Sequence, residues 1–224
     1  MCGRFTLRAL PEDLEKRFQV KMKRKSAYAP HFNIAPGQEI PVITEEKPDE
    51  IIWMRWGMMP KWWKQKSRGL INIRSESAFT KPVFKKMALT QRCIIPADGF
   101  YEWKAHGKIK VPYYFSLKND GLFAFAGLFS EDQNGLSLAI LTTEPNSLVN
   151  KIHNRMPCML KKQDERLWLN RAPSRVLRPN RPTSSDNELQ KLLTAYPAGE
   201  MKAYEVSREV NVPASEGDQL IRAV

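Results

Sequence analysis

The chain has few of the residues that build metal sites and disulfides, and no long apolar segment. Its 224 residues include three cysteines and three histidines, and neither set has the spacing of a metal site or a disulfide framework. The apolar run at 122–129 is far shorter than the roughly 20 residues that a membrane-spanning helix needs. No apolar leader opens the sequence. We therefore expect a reduced, cytoplasmic protein with no metal site and no membrane association.

Acidic residues are outnumbered by basic ones. Asp and Glu total 24 and Lys and Arg total 36, which gives a net charge of +12 and a pI near 9.7. Such a surplus favours polyanionic partners, with nucleic acid as the leading candidate. Hydrophobic residues make up 42% of the chain, enough for a sizeable core. Because many basic proteins bind nothing specific, composition alone leaves the partner open.

Strand-like runs dominate the middle of the chain and are separated by turn-like segments. Leu14 and Phe18 follow Pro11 at helical spacing, which predicts a short amphipathic helix, and the Pro- and Arg-rich stretch 171–185 predicts a surface loop. The economical fold is α+β, a single domain over residues 1–224 with a mixed, largely antiparallel, barrel-like sheet and peripheral helices. Strands are predicted at 39–44, 50–56, 93–98, 99–104, 111–117, 122–129 and 136–143, and helices at 75–89, 145–152, 163–169 and 184–193.

Cys2 is the most informative residue because it directly follows Met1. Removal of Met1 would leave a cysteine with a free α-amine of pKa about 7.7–8.0 and a thiol of pKa about 8.5. We expect both groups to be partly nucleophilic near neutral pH. The amine condenses with an aldehyde to an imine, and the neighbouring thiol then closes a thiazolidine ring. The alternative is that Cys2 is an ordinary residue in a disordered chain start.

Aromatic and basic residues alternate in the segment 60–68. Trp62 and Trp63 lie among lysines and an arginine there, a composition typical of a platform on which single-stranded bases stack. The alternative is that one or both tryptophans are buried in the core. Arg4, two residues beyond Cys2, is a candidate to hold a phosphate beside the reacting terminus.

Other polar residues are candidates for the chemistry. If the segment around Asn72 is extended, Asn72, Arg74 and Glu76 share one face, where Asn72 can hold a carbonyl or imine and Arg74 a phosphate. Glu102 lies between two aromatic residues, a partly desolvated setting that raises the pKa of a general acid or base. His153 follows a predicted helix and is a candidate proton carrier.

Eight motifs follow one another along the chain: MCGRF at 1–5, NIAPG at 33–37, WGMMPKWW at 56–63, INIRSES at 71–77, RCIIPADGFYEWK at 92–104, IHNRMP at 152–157, VSREVN at 206–211 and EGDQLI at 216–221. Their order resembles the SRAP family of abasic-site processing proteins over nearly the whole chain. The resemblance implies covalent capture of abasic sites in single-stranded DNA through a thiazolidine on Cys2. We expect no cofactor, because the terminus itself supplies the trapping group, and we expect a monomer that is associated with the nucleoid when bound to DNA.

The resemblance also assigns roles to residues. Asn72, Glu102 and His153 fall on the family's active-site positions beside Cys2, and the DNA-contact positions are Arg4, Trp62, Trp63, Arg74 and Arg155. Two alternatives from other functional classes stay open. One is a hydrolase in which Cys2 attacks amides or removes its own Met1, and the other is a plain single-strand binding protein.

Overall fold

The computed structural model describes residues 2–59, 69–132, 135–169 and 186–224. Trp62, Trp63 and the loop predicted at 171–185 lie outside these residues. Thirteen strands within the described part form two sheets. They are β1 Phe5–Leu7, β2 His31–Ile34, β3 Glu39–Thr44, β4 Ile52–Trp56, β5 Asn72–Arg74, β6 Arg92–Ala97, β7 Gly99–His106, β8 Ile109–Leu117, β9 Phe123–Asp132, β10 Gly135–Thr143, β11 Met156–Pro157, β12 Met159–Leu160 and β13 Met201–Glu205.

Five strands of the larger sheet close into a barrel. β10 pairs with both β9 and β4, and the pairings β4–β3, β3–β6 and β6–β9 complete the ring. The β10–β4 pair is parallel and the other four pairs are antiparallel. The interior is tightly packed, since a side chain at Gly127 would lie 2.5 Å from Ile95 Cδ1 and 2.9 Å from Cys93 Sγ. The predicted mixed, largely antiparallel, barrel-like sheet is therefore confirmed.

The smaller sheet carries the start of the chain. Its order is β13-β8-β7-β1-β2, and every neighbouring pair is antiparallel. Phe5 on β1 makes edge-on ring contacts with Trp56 and Phe125 of the barrel, with centroids 5.3 and 5.7 Å apart. These contacts bury β1 between the two sheets. The chain just before it, including Cys2, is consequently held against the protein interior.

The helices surround the sheets, and most follow the predicted pattern. The helix predicted at 75–89 is interrupted between Thr80 and Pro82, because proline lacks the N–H that continues a helix and instead starts a new one. The helix predicted at 145–152 is reduced to a single 3-10 turn, Val149–Lys151. None of the described helices is long and apolar enough to cross a membrane. The α-helices are α1 Pro11–Phe18, α2 Ser75–Thr80, α3 Pro82–Thr90, α4 Lys162–Trp168 and α5 Asp186–Lys191, and the other 3-10 turns are Lys25–Ala27, Ala198–Glu200, Arg208–Asn211 and Asp218–Ile221.

Candidate functional site

Asn72 fixes the main chain at Cys2. It is the first residue of β5, which lies parallel to β10, and its Nδ2 donates a hydrogen bond to the Cys2 carbonyl oxygen at 2.8 Å. Within the described residues, the buried Oδ1 of Asn72 has no hydrogen-bond partner. The side-chain amide therefore holds Cys2 in place and still offers an acceptor to another donor.

The Cys2 thiol is enclosed by protein. Cys2 has no exposed surface, and its Sγ lies 3.9 Å from the Arg4 carbonyl oxygen. Burial raises the pKa of the thiol well above its ordinary value, and the nearby charge of Glu102 adds to that shift. The prediction that the Cys2 thiol is partly ionised near neutral pH is therefore wrong for the folded protein, because burial penalises the charged form. This thiol needs a neighbouring base to take its proton when it reacts.

Glu102 is such a base, and it is almost completely buried on β7. Desolvation raises the pKa of its carboxyl from 4.5 to about 7, against the opposing attraction of the amino-terminal charge and a hydrogen bond from the backbone of Trp103. Near neutral pH the protonated and ionised forms are thus both populated, as proton transfer in either direction requires. The predicted rise in the pKa of Glu102 is confirmed.

The two sequence neighbours of Glu102 contribute to an apolar cluster on the other side of β7, and Trp103 also borders the cleft. Successive side chains on a strand point to opposite faces. Tyr101 and Trp103 accordingly pack with Tyr114 and Val210 in a separate apolar cluster on the other side of β7. The predicted rise in the pKa of Glu102 was therefore correct. It comes from burial of this part of β7 in the tertiary structure, and not from the position of Glu102 between two aromatic residues in the sequence.

His153 lies beside Glu102. Its Nδ1 is 3.9 Å from Glu102 Oε1 and 3.1 Å from both the backbone N–H and the carbonyl oxygen of Arg155. Burial, followed by the positive charge of the amino terminus, lowers the pKa of His153. The imidazole is therefore neutral near pH 7 and can accept a proton.

These residues border an open cleft of about 410 Å³. Glu102 and His153 line it together with Trp103, Lys110 and Asn211. Sequence reasoning missed Lys110 and Asn211. Lys110 could have been found from the register of the β7–β8 hairpin, in which it pairs with Ala105. Asn211 is brought to the cleft by a long-range hydrogen bond, in which the Trp103 indole Nε1 donates to its Oδ1 at 2.7 Å.

The predicted DNA contacts are in very different settings. Arg74 is exposed at the end of β5, as a phosphate contact requires. Arg4 is half-buried, and its Nη1 donates to Asn33 Oδ1 and to the Val210 carbonyl, both at 2.7 Å. Arg155 is buried at 7% exposure. The roles of all three in binding DNA stay predictions.

Glu76 is not where an extended segment would place it. The strand ends at Arg74, and Ser75 begins α2, so Glu76 lies in the first turn of a helix. There it pairs with Arg155, with Nη1 2.7 Å from Oε1. Among the residues that the structure describes, no group of three or more His, Cys, Asp or Glu side chains is arranged to hold a metal ion.

Comparison with known proteins identifies the family. The model of the SRAP family, described as SOS response associated peptidase, matches residues 1–213. The chain therefore belongs to the SRAP family. It is 39% identical to the abasic site processing protein YoqW of Bacillus subtilis and 29% identical to the abasic site processing protein YedK of Escherichia coli, in each case over the full length of both chains. A crystal structure of a protein from Bacteroides thetaiotaomicron has a TM-score of 0.83 and 25% identity, again covering all of both chains.

Family membership supports a role in abasic-site processing, with DNA that contains abasic sites as the partner.

Proposed function

We propose that this protein captures abasic sites in single-stranded DNA by forming a thiazolidine on Cys2 after Met1 has been removed. The observation that carries the proposal is the convergence of three groups around Cys2. Asn72 holds the Cys2 carbonyl at 2.8 Å, and Glu102, with a pKa of about 7, lies 3.9 Å from His153. An amine, a thiol and a proton carrier in one site are what aldehyde capture needs.

The first stage forms an imine. An abasic deoxyribose is mostly a closed hemiacetal. Neutral His153 takes the proton of its anomeric hydroxyl, the bond from the anomeric carbon to the ring oxygen breaks, and the imidazolium gives the proton to that oxygen, so that the aldehyde forms beside a free hydroxyl and His153 is neutral again. The Cys2 α-amine adds to the aldehyde carbon and gives a carbinolamine. Protonated Glu102 donates to the leaving hydroxyl, so that water departs, an iminium forms and Glu102 becomes a carboxylate. The buried Oδ1 of Asn72 accepts a hydrogen bond from the reacting nitrogen and orients it.

The second stage closes the ring. The Cys2 sulfur bonds to the iminium carbon, the nitrogen regains its lone pair, and the thiol proton passes to the Glu102 carboxylate. Glu102 returns to its starting form, and the overall change is aldehyde plus aminothiol to thiazolidine plus water. In the chain that still carries Met1, burial raises the pKa of the thiol, and the carboxylate formed at Glu102 is the base that removes its proton in this order of steps.

The DNA is held by charge and by stacking. Arg74 and Lys110 contact phosphates on either side of the lesion, and Trp62 and Trp63 stack against neighbouring bases. The single-stranded form is the substrate because its bases are free to stack and its abasic sugar can enter the cleft. The protein acts as a monomer in the cytoplasm, on the nucleoid.

Intact mass spectrometry after mixing the protein with an abasic single-stranded oligonucleotide tests the proposal. We expect an adduct equal to protein without Met1 plus DNA minus one water, stable to denaturation without borohydride. Undamaged DNA of the same sequence should give no adduct. Cys2→Ala keeps the amine but cannot close the ring, so its adduct should persist only after borohydride reduction. A stable, reductant-independent adduct of Cys2→Ala would overturn the mechanism.

A second candidate activity is removal of Met1 by the protein itself, favoured by the family's description as a peptidase. The Cys2 thiol would attack the Met1 carbonyl, transfer the acyl group from nitrogen to sulfur, and release methionine by hydrolysis. Production in a translation system with methionine aminopeptidase inhibited tests this idea. Wild type should lose Met1 there and Cys2→Ala should keep it, whereas retention in both assigns the removal to the aminopeptidase.

A further inference from the structure

We propose that Glu76 is a positioning residue for His153, acting through a clamp formed with Arg155. The clamp is the set of contacts that the Arg155 guanidinium makes with Glu76, Glu144 and Thr142. Its kinetic consequence rests on the proposed function, but its structural consequence does not.

The guanidinium of Arg155 holds two segments of the chain at once. Nη1 and Nη2 bond to the two carboxylate oxygens of Glu76 at 2.7 and 2.9 Å, the bidentate geometry that gives arginine–carboxylate pairs their directionality. Nη2 also donates to the Thr142 carbonyl at 2.6 Å, and Nη1 to Glu144 Oε1 at 2.9 Å. Arg155 is buried, so these bonds are shielded from solvent on the arginine side.

The clamp joins the two elements that carry Asn72 and His153. Glu76 lies in the first turn of α2, directly after the strand that begins with Asn72. Thr142 on β10 pairs in register with Arg74 of that strand. Arg155 itself follows the His153 loop, so its side chain ties this loop to the strand and helix on which Asn72 depends.

The connection to the imidazole is direct. His153 Nδ1 lies 3.1 Å from both the backbone N–H and the carbonyl oxygen of Arg155, so the Arg155 backbone holds this nitrogen in either tautomer of the neutral imidazole. A displaced Arg155 backbone would release Nδ1 and change the 3.9 Å separation from Glu102. Holding Arg155 by its side chain therefore fixes the orientation of His153.

An alternative use of Arg155 is the predicted contact with a DNA phosphate. In that case Glu76 would compete with DNA for the guanidinium, and removing its charge would strengthen DNA binding. The positioning role predicts instead that affinity stays constant while the rate of capture and the state of His153 change. The two roles therefore differ in sign and in the quantity affected.

NMR of the free protein provides a test that needs no DNA chemistry. The chain has only His31, His106 and His153, so their imidazole resonances are assigned by single substitutions. We expect Glu76→Gln to shift the His153 resonances and their titration midpoint, and to leave those of His31 unchanged. The matched control is Glu46→Gln, which removes one exposed carboxylate beyond the barrel end where Thr44 pairs with Cys93. Unchanged His153 resonances in Glu76→Gln would overturn the proposal even if no crosslink ever forms.

Single-turnover capture at saturating abasic DNA tests the consequence for the reaction. We expect Glu76→Gln to slow capture roughly tenfold with unaltered affinity, a coupling typical of contacting residues. In a His153→Ala background the same substitution should have no further effect, because its target is already gone. An equal loss in both backgrounds, or tighter DNA binding by Glu76→Gln, would refute the positioning role. Glu144→Gln, which removes the negative charge from a side chain that has a single bond to Arg155, should show the same pattern more weakly.

Discussion

Two buried glutamates show how differently two regions of the molecule use the same side chain. Glu165 on α4 is 7% exposed and forms a bidentate pair with Arg17 of α1, at 2.7 and 3.0 Å. Glu102 in the cleft is 2% exposed and lies 3.9 Å from His153. Burial raises the pKa of both carboxyls, but Arg17 counteracts the effect at Glu165, whereas Glu102 reaches a pKa of about 7.

The difference lies in the charge that faces each carboxylate. A guanidinium stays protonated at any physiological pH, so Arg17 favours the ionised form of Glu165, and the pair joins two helices. Neutral His153 offers Glu102 no such charge, and desolvation outweighs the attraction of the amino-terminal charge, so the carboxyl exchanges its proton near neutral pH. The same pairing recurs between Glu45 and Arg92, where the arginine also donates to the backbone of Trp168. Acid–arginine pairs thus tie the barrel to its helices, and in the proposed mechanism the buried acid beside histidine transfers the proton.

The largest expected effect is on the rate of capture. Glu102→Gln preserves the shape of the side chain but cannot donate or accept the proton, and loss of a general acid or base typically slows a reaction about 10²- to 10⁴-fold. Single-turnover crosslinking at saturating DNA measures the rate, and a binding titration checks that affinity is unchanged. If the variant loses affinity for DNA in proportion to its capture rate, Glu102 contributes to DNA binding rather than to proton transfer.

Breaking the pair formed by Arg17 and Glu165 should affect the stability of the protein and not the rate of capture. Arg17→Met leaves the Glu165 carboxylate buried without its cation, and we expect the free energy of unfolding to fall by about 3 kcal/mol. Urea denaturation measures the loss. The double variant with Glu165→Leu should recover most of it, because both charges are then removed. Slower capture by folded Arg17→Met would contradict the separation of the two roles.

The raised pKa of Glu102 should lower the free energy of unfolding of the protein at high pH. The folded carboxyl titrates near 7 and the unfolded one near 4.5, so between these values the unfolded chain binds fewer protons and stability falls as pH rises. Above pH 7 the penalty is constant, on the order of 3 kcal/mol. Glu102→Gln cannot ionise and should gain that much stability relative to wild type between pH 4 and pH 8. Parallel stability curves for the two proteins would show that Glu102 titrates normally.

The smallest expected effects concern DNA recruitment. Arg74→Gln and Lys110→Gln should each lower the slope of log affinity against log salt by about 0.7, the value for one lost phosphate contact with a single strand. Lys16→Gln, an exposed substitution on α1, is the charge-matched control and should leave the slope unchanged. Capture at saturating DNA should recover in the Arg74 and Lys110 variants. Equal slopes in all proteins would remove these two residues from the DNA interface.

Local pattern was sufficient to predict most of the fold. The strand at 39–44 and the strands and turns between 93 and 143 follow from alternating apolar runs and turn residues, and the barrel-like sheet follows from their number and order. The prediction of a helix at 145–152 is wrong, since only a 3-10 turn at Val149–Lys151 forms there. The prediction of one continuous helix at 75–89 is also wrong, because Pro82 lacks the N–H that would continue the first helix and begins a second one.

What the sequence determined by itself is the chemistry available: a cysteine behind Met1, an amide, a carboxyl and an imidazole in motifs that resemble one family. The tertiary structure alone decided their states. Burial keeps the Cys2 thiol protonated and brings Glu102 to a pKa of about 7, since desolvation depends on everything packed around a group and not on its neighbours in the chain. It also placed Asn211 in the cleft and paired Arg155 with Glu76, because such long-range contacts form only when distant segments fold together.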